Sequence, residues 1–495
     1  MGVEAVGASP SLDPLDRPEA GAKAIRGGAI RAVAFVVNTL LITAIVPLMT
    51  RHLGVGDFGR FVTASSIVMI VAGITEFGLS GVGTREYALA GAADRRRLLG
   101  NLLALRTLLT LVGLAIAFVL MAVAGYPRVV LAGMLLVGVG LILLNAQQTL
   151  ALVLTASLRW GLYSAFEMVN TIVIFGGTIL LVAVGARLLP FFYISALSSL
   201  AILVATLIGL RAHVVRPRFD IGEWRRMLRD SLPYAAAATV GILYFRIALI
   251  VVSLGSSAAQ TGYYSTSFKI VEVISGFAFL IASSAFPIFA RAGRDDHERL
   301  RYGSARVGDT ALIVGVYLAL SLVIAAPFVI LVIGGHAYRP AVPVLRVQAI
   351  TLVATFLLAT WSYALLSLRE HKRLLQSNGF ALAVSIVLSL VLVPRLAAQG
   401  AAIATAATEF VLAAAYWVSL SRSRAGMRPS LALLPKVLLA AAAAEALALL
   451  VPLSSIALWA IGSLVYVLLL LAMRAFPPEL VHALLRRDRP AAPTT

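Results

Sequence analysis

The sequence of 495 residues contains no cysteine. This excludes disulfides, zinc–thiolate sites, iron–sulfur clusters and cysteine nucleophiles. Charged residues are also scarce, at 13% of the chain, which is about half of their share in an ordinary soluble domain. Hydrophobic residues make up 60% of the chain, and the mean hydropathy is +0.96. A soluble chain of this length would need far more polar surface to cover its core, so the composition predicts a polytopic membrane protein.

Apolar runs that could cross a bilayer recur along most of the chain. A spanning helix needs about 20 apolar residues, and fourteen runs approach that length. They predict an all-α protein with spans near 29–49, 61–80, 101–124, 130–157, 165–184, 191–210, 232–254, 267–290, 308–333, 344–367, 377–394, 400–420, 434–451 and 455–472.

Basic residues are distributed unevenly between the two sides of the predicted membrane. The net charge is +19, which in a soluble protein would suggest nucleic acid as a partner. If the N-terminus is inside, however, the inner segments hold 32 Lys and Arg residues and the outer segments hold seven. This asymmetry follows the positive-inside rule. It places both termini in the cytoplasm and leaves no reason to expect nucleic acid.

A weak internal repeat suggests how the spans are grouped. Leu53-Gly54 and Gly59 match Leu254-Gly255 and Gly262, six spans later. An even offset gives a parallel repeat of two six-helix bundles, a type that places its binding site between the halves. The predicted organisation is a disordered cytoplasmic tail at 1–28, a lobe at 29–210, a basic amphipathic linker at 211–231, a second lobe at 232–420, two additional helices within 434–472 and a basic tail at 473–495.

Motifs for catalysis or nucleotide binding are missing. The sequence contains no Walker A motif, HExxH motif or GxSxG motif. A GxGxxG match at 54–59 falls between two spans and lacks the strand that a dinucleotide site needs. The acidic cluster at 295–298 lies among arginines and is interpreted as solvated charge. We therefore expect no catalytic residue, no metal and no cofactor. Transport is the function class that remains.

Arg246 is the strongest candidate for a substrate-binding residue. It lies in the seventh span, eight residues before Leu254, and thus about 12 Å from the outer end of the helix. An ionisable group at that depth faces the bundle interior or a wet cavity. A guanidinium could hold a diphosphate through parallel hydrogen bonds. The alternative is a structural ion pair with a glutamate of another span.

Other charged residues also fall within the predicted spans. Lys269 and Glu272 share one face of the eighth span, where they could neutralise each other or line a cavity. Glu76 lies near the inner end of the second span, and Glu409 lies in the middle of the twelfth. The carboxylates Glu76, Glu272 and Glu409 are candidates for ion coupling, and each could instead tie helices together.

Several short segments resemble the polysaccharide-type flippases of the multidrug/oligosaccharidyl-lipid/polysaccharide exporter superfamily. Their order and spacing carry the resemblance, which extends over roughly residues 25–475. The matching segments are Arg51-His52-Leu53-Gly54 with Asp57-Phe58-Gly59, Glu76-Phe77-Gly78-Leu79-Ser80 with Thr84-Arg85-Glu86, Gly262-Tyr263-Tyr264-Ser265, Phe286-Pro287, Tyr338 to Arg346, Val393-Pro394, Gly400-Ala401-Ala402 and Thr408-Glu409.

The resemblance implies a fold and a cargo. It implies two six-helix lobes in a V around a cavity that opens alternately to each side, with two extra helices that flank the cavity and hold a lipid tail. The implied cargo is a polyprenyl-diphosphate-linked oligosaccharide, whose diphosphate Arg246, Lys269 and Arg51 would bind. The implied location is the inner (cytoplasmic) membrane of a bacterial-type cell. Many relatives carry an Asp two residues after the span 7 Arg, whereas this chain has Ala248. We therefore expect Arg246 to be freer for substrate.

Three alternatives remain open at this point. A cation-coupled drug exporter of the same superfamily would need buried acidic and aromatic residues in its cavity to bind an organic cation, and a buried arginine there argues against it. A peptidoglycan-precursor flippase is a close relative. A membrane-embedded polymerase or ligase is disfavoured because no outer loop is long enough to form a domain. The expected partners are membrane lipids and the glycosyltransferases or polymerase of the same pathway.

Overall fold

A computed structural model describes residues 18–76, 78–157, 159–211, 215–423 and 426–476, and over these ranges the protein is helical with no strand. A short 3-10 turn, His336–Tyr338, precedes α10. The helices are α1 (Pro18–Glu76), α2 (Leu79–Leu89), α3 (Ala92–Val123), α4 (Arg128–Ala156), α5 (Trp160–Ala183), α6 (Leu188–Gly209), α7 (Ile221–Gly255), α8 (Ala258–Asp295), α9 (His297–Gly334), α10 (Ala341–Ala349), α11 (Thr351–Ser367), α12 (His371–Ser421), α13 (Leu434–Leu450) and α14 (Ser455–Ala472).

These helices account for all fourteen predicted spans. In the described ranges, ten helical stretches are long and apolar enough to cross a membrane. The stretches containing α1 and α12 each cover two predicted spans, and α10 and α11 together form one. The remaining two spans correspond to the apolar part of α7, Thr239–Gly255, and to α13. The prediction of an all-α polytopic membrane protein is confirmed.

Two backbone breaks divide the longest helices at the predicted span boundaries. Gly54 interrupts α1 with φ of 72°, a region that glycine enters without steric cost. Ala397 interrupts α12 with φ of 48°. Beyond this second break the chain returns so closely that the Gly400 Cα lies against the Leu392 carbonyl. Residues eight apart in a straight helix would be about 12 Å apart, so α12 reverses direction here.

The two halves of the chain, α1–α6 and α7–α12, are in close contact near Gly54. We call this the Gly54 end of the bundle. The Thr50 hydroxyl donates to the Ile333 carbonyl over 2.6 Å. Gly59 of α1 lies directly against α8, where a Cβ on Gly59 would be 2.6 Å from the Ala258 oxygen and 2.7 Å from the Gly262 nitrogen. Gly59 and Gly262 are the matching glycines of the sequence repeat, and they meet where the halves join.

Replacing Gly59 with alanine should destabilise the Gly54 end. The atoms in the way belong to the α8 backbone, so the helices would have to separate. Overpacking of this kind costs about 1–3 kcal/mol, which thermal unfolding in detergent would detect. Gly81→Ala is the matched control, because no atom lies within 4 Å of a Cβ at that position. Equal melting temperatures for the two variants would contradict the close contact.

The predicted linker at 211–231 is part helix and part extended chain. Residues 212–214 lie outside the described ranges, and α7 begins at Ile221 and continues into the predicted seventh span. Asp220 caps this helix and accepts a 2.7 Å hydrogen bond from Arg97. The Glu223 amide, together with Arg97, holds the pKa of the Asp220 carboxyl below its usual value.

The apolar side of this linker faces the protein. Met227 is buried in a cluster formed with α2, α3 and α4, and Trp224 and Leu228 pack against the same cluster. The neighbouring helices therefore cover the apolar side of the linker. A period of 3.6 residues marks an apolar side but does not identify the surface that covers it.

The ends of the chain differ in part from the expectation. The helix α1 begins at Pro18, so residues 18–28 of the predicted disordered tail are helical. Residues 1–17 and the last nineteen residues, 477–495, lie outside the described ranges. The additional helices α13 and α14 pack on α9, where the Tyr466 hydroxyl donates to the Ile313 carbonyl over 2.9 Å.

Candidate functional site

A cavity of about 500 Å³ lies between the two halves of the chain. This volume is within the range of small-molecule binding sites. Helix α1 contributes an apolar wall, and α7, α8, α11 and α12 contribute the polar groups. Among the described residues, neither α13 nor α14 contributes to the lining. The family resemblance implied that these two helices flank the cavity, and the lining does not show this. The polar lining residues are Tyr244, Arg246, Glu272, Thr355, Ser362, Asn378, Glu409 and Tyr416.

Arg246 lines this cavity and is only 4% exposed. Its Nη2 donates to Glu272 Oε1 of α8 over 2.6 Å, and its Nη1 donates to the Ser66 hydroxyl of α1 over 3.2 Å. The guanidinium also lies 5.7 Å from the Phe245 ring centroid and 5.4 Å from that of Phe268. Arg246 thus joins both halves of the chain at the cavity wall.

Glu272 is shared by two cations. Its second oxygen, Oε2, accepts a 2.6 Å hydrogen bond from Lys269 Nζ. The predicted pair on one face of α8 is therefore present. The group of Arg246, Glu272 and Lys269 carries a net charge of +1. Alanine at position 248 does not leave Arg246 freer in this structure, as the sequence had suggested, because Glu272 supplies a carboxylate in place of the missing Asp.

Glu409 is buried beside the same cavity. It is 7% exposed, and its Oε2 accepts a 3.4 Å hydrogen bond from the Thr355 hydroxyl. Among the described residues, no Lys or Arg lies within ion-pair distance of Glu409. A second cavity of about 30 Å³ shares Glu409, Tyr244 and Thr355 with the larger one. That volume is large enough for a water molecule.

Glu76 lies apart from this group and has several partners. Its carboxylate accepts from the Gly78 and Ser80 amides at 2.9 Å each, which fixes the turn between α1 and α2. It also pairs with Arg106 of α3 at 3.1 Å. Arg106 is 1% exposed and donates to the Ser80 and Thr149 hydroxyls as well. This arrangement is the helix-to-helix tie that the sequence left open.

Arg51 also lies away from the cavity lining. Its Nη2 donates to the Val332 carbonyl over 2.6 Å and to the Leu331 carbonyl over 3.2 Å. These are among the last carbonyls of α9, where a cation is stabilised by the helix dipole and by unpaired acceptors. The structure therefore brings Arg246, Lys269, Glu272 and Glu409 into one region and leaves Arg51 and Glu76 elsewhere.

Two groups of polar residues were missed in the sequence, one in the cavity lining and one beside Glu76. Asn378 and Tyr416 both lie on α12 and line the cavity, with the Tyr416 hydroxyl donating to Asn378 Oδ1 over 3.2 Å. They lie 38 residues apart, on opposite sides of the reversal at Ala397. Arg106 lies within the predicted span at 101–124 and within α3, but the charge count groups it with the inner segments. A signal for Arg106 was available, because Leu102 to Leu105 already begin an apolar run.

The comparison with protein families identifies the chain. The family model for polysaccharide biosynthesis proteins matches residues 24–292, which is more than half of the sequence. The chain belongs to this family. The matched region of this polysaccharide biosynthesis family member contains Arg246, Lys269 and Glu272. No curated protein matches the sequence.

Solved structures with the same fold are membrane transporters and flippases. Lipid II flippase MurJ, in an inward closed conformation, is similar over 92% of this chain and 100% of its own, with 14% identity and a TM-score of 0.77. An inward-facing multidrug resistance MATE family transporter of the MOP superfamily covers 80% and 98%, with 15% identity and a TM-score of 0.62. A MOP superfamily transporter from Pyrococcus furiosus covers 82% and 94%, with 14% identity and a TM-score of 0.52.

These likenesses establish the fold of this polysaccharide biosynthesis family member. The same fold is found in multi-pass membrane transporters and flippases. At 13–15% identity, the solved structures do not assign a cargo to this chain, because one fold serves several functions.

Proposed function

We propose that the protein is a flippase that moves a polyprenyl-diphosphate-linked oligosaccharide across the cytoplasmic membrane for cell-surface polysaccharide synthesis. The observation that carries this proposal is Arg246, a buried cation at the wall of a cavity between two halves of a transporter fold. The polysaccharide biosynthesis family supports a glycan cargo. A sugar headgroup needs such a cavity, because each unpaired hydroxyl costs several kcal/mol in hydrocarbon.

The group around Glu272 suggests how a diphosphate would be bound. A guanidinium has five N–H donors, and the bonds to Glu272 and Ser66 use two of them. An arriving diphosphate can replace Glu272 on Arg246, since Lys269 continues to neutralise the carboxylate. Without Lys269 this exchange would leave a partly buried carboxylate unpaired, which is costly. Lys269 would then support substrate binding without touching the substrate, in contrast to the direct role expected from the sequence.

Alternating access would require the halves to part at the Gly54 end. The contacts of Arg51 and Thr50 with the α9 carbonyls, and that between Gly59 and Gly262, join the halves there. By the distribution of basic residues, this end faces outward and both termini lie in the cytoplasm. Arg51 would act in this closed contact and not on the substrate.

The energy source and the lipid tail are further parts of the proposal. Glu409 is the carboxylate we retain for ion coupling, because Glu76 and Glu272 are held in ion pairs. The polyprenyl tail would remain in the surrounding lipid while the headgroup crosses through the cavity. The glycosyltransferases or polymerase of the same pathway would supply and consume the cargo.

Reconstitution into proteoliposomes tests the proposal. We expect a fluorescent polyprenyl-diphosphate-linked oligosaccharide to become accessible on the opposite leaflet at a rate that empty liposomes do not show. A lipid-linked glycan carrying a single phosphodiester, with one negative charge fewer than the diphosphate, is the matched substrate control, and it should be moved more slowly. An absence of translocation with several glycans would overturn the proposal.

A drug exporter is the second candidate, favoured by one observation. Glu409, with Tyr244 and Tyr416, places a carboxylate among aromatic rings at the cavity, which would suit an organic cation. The same proteoliposomes loaded with a fluorescent organic cation distinguish the two functions. Transport of the cation without the glycan would establish the exporter.

A further inference from the structure

Three small residues of α1 lie in a row along the contact with the second half of the chain. Gly59, Ser66 and Gly73 are spaced seven residues apart, and positions seven apart lie on nearly the same side of an α-helix. Gly59 packs against the α8 backbone, and Gly73 packs against Ile242 of α7. Gly73 also lines the cavity. The row therefore follows the contact between the halves from the closed Gly54 end to the cavity.

Ser66 forms a hydrogen bond that crosses between the halves. Its hydroxyl accepts a 3.2 Å hydrogen bond from Arg246 Nη1, and Ser66 is 1% exposed. Glu272, another hydrogen-bond partner of this guanidinium, lies on α8 and thus in the same half as Arg246. If the halves part at the Gly54 end, α1 moves away from α7 and α8. The bond to Ser66 is then broken, whereas the bond to Glu272 is kept.

The bond to Ser66 occupies a donor that a diphosphate would use. Nη1 and Nη2 form the planar end of the guanidinium, which can hold a phosphate group through two parallel hydrogen bonds. In this structure Nη1 donates to Ser66 and Nη2 donates to Glu272. A diphosphate that takes both nitrogens therefore displaces the Ser66 hydroxyl as well. The cation prefers the phosphate oxygen, because that oxygen carries negative charge and the hydroxyl does not.

This competition is linked to the conformation of the protein. Ser66 can bind Arg246 only while the Gly54 end is closed, so a diphosphate must displace Ser66 in the closed state but not in the open state. A ligand shifts a conformational equilibrium toward the state that it binds more tightly, and such coupling between binding and conformation is reciprocal. Occupation of Arg246 therefore favours opening.

We propose that Ser66 is a positioning residue that couples binding of the diphosphate on Arg246 to opening of the Gly54 end. Without cargo, Ser66 holds Arg246 and stabilises the closed end. With the diphosphate bound, this hydrogen bond is lost and the end opens. The inference rests on the proposed flippase function and adds to it the contact through which the cargo triggers the conformational change.

The absence of cysteine from the sequence allows opening to be measured with one introduced thiol. Val62 lies one turn from Ser66 toward the Gly54 end, on the same side of the helix. It is 2% exposed and belongs to an apolar cluster with residues of α7 and α8. In lipid nanodiscs, the Val62→Cys protein, the parent of the variants below, should react slowly with a membrane-impermeant maleimide. Its reaction rate should increase with the population of the open state.

Ser66→Ala in this parent should react about tenfold faster in the absence of ligand. That factor corresponds to about 1.4 kcal/mol, close to the lower limit for a hydrogen bond to a charged group. Geranyl diphosphate, a short prenyl diphosphate without a glycan, should accelerate the reaction of the parent and have little further effect on Ser66→Ala. Adding Ser66→Ala to Arg246→Ala should leave the rate unchanged, because both substitutions remove the same bond.

Ser198→Ala is the matched control. Ser198 is a buried serine of α6 whose hydroxyl donates to the Ser195 carbonyl of its own helix, so its variant should react at the parent rate. Equal rates for Ser66→Ala and the parent would overturn the coupling role of Ser66 and leave the flippase function intact. The same conclusion follows if geranyl diphosphate binds the parent without accelerating its reaction.

Binding is followed separately through the melting temperature of the parent, which a bound ligand raises. Geranyl diphosphate that fails to raise it would count against the diphosphate site itself, and thus against both the coupling role and the flippase function.

Discussion

Replacing Arg246 with alanine should reduce translocation of a diphosphate-linked glycan by roughly 100-fold. A hydrogen bond to a charged group contributes about 1.5–3 kcal/mol, and loss of about 2.7 kcal/mol corresponds to a factor of roughly 100. Arg246 is the only Lys or Arg among the described residues that line the cavity, so no neighbouring cation there can replace it. The initial rate of translocation in proteoliposomes measures the effect.

The Arg246→Ala variant should still fold, and the reason lies in its neighbour. Removing one partner of a buried ion pair is usually destabilising by about 3–5 kcal/mol, because the other charge is left uncompensated. Here Glu272 keeps Lys269 at 2.6 Å, so the carboxylate remains paired. The elution profile in detergent and the melting temperature would confirm the fold, which separates loss of binding from loss of structure.

Two further variants distinguish the roles of individual arginines. Arg246→Lys keeps the charge and loses the planar fork that grips a phosphate through two bonds, so its rate should be intermediate. Arg51→Ala removes a contact at the Gly54 end and should leave the affinity for the lipid-linked glycan unchanged. If the Arg246→Ala variant translocates the glycan at the wild-type rate, Arg246 is only a structural link between α1, α7 and α8.

The sequence predicts the elements of this site better than their connections. Hydropathy locates the helices. Because an arginine deep in an apolar run is energetically costly in lipid, the position of Arg246 in its span predicts that it faces the bundle interior or a wet cavity. The Lys269–Glu272 pair is local, because positions three apart share one face of a helix. The link from Arg246 to Glu272 spans 26 residues and two helices, and it depends on a packing angle that no local pattern specifies.

The residues that sequence reasoning misplaced show the same limit. Arg106 stands near a run of arginines that begins at Arg95 and lies inside the predicted span at 101–124, but a count of charges groups it with the inner segments. In the structure α3 begins at Ala92, and the first turns of this helix are covered by α2, α4 and α7. Arg51 lies near the predicted outer surface, but its partners are the α9 carbonyls 280 residues later. Backbone acceptors at a helix end leave no trace in the amino-acid sequence.

Glu76→Gln should produce a larger loss of stability than Glu445→Gln. The substitution leaves Arg106, which is 1% exposed, as a buried cation without a counter-ion, at a cost of about 3–5 kcal/mol. It also places an amide group against two backbone N–H donors, those of Gly78 and Ser80. Thermal unfolding in detergent should show a clear decrease in melting temperature. Glu445→Gln should lower it less, because no ion pair involves Glu445 among the described residues.

A second substitution separates this structural role from ion coupling. The double variant Glu76→Gln with Arg106→Gln removes both charges and should recover part of the stability, since a non-additive result is the signature of a direct pair. Arg106→Gln alone should cost less than Glu76→Gln, because Glu76 keeps 34% exposure and can be solvated. If Glu76 instead carried a coupling ion, Glu76→Gln would unfold at the wild-type temperature and lose only the dependence of transport on an ion gradient. The pairing with Arg106 and the two amide bonds therefore predict a change in stability where a coupling role predicts none.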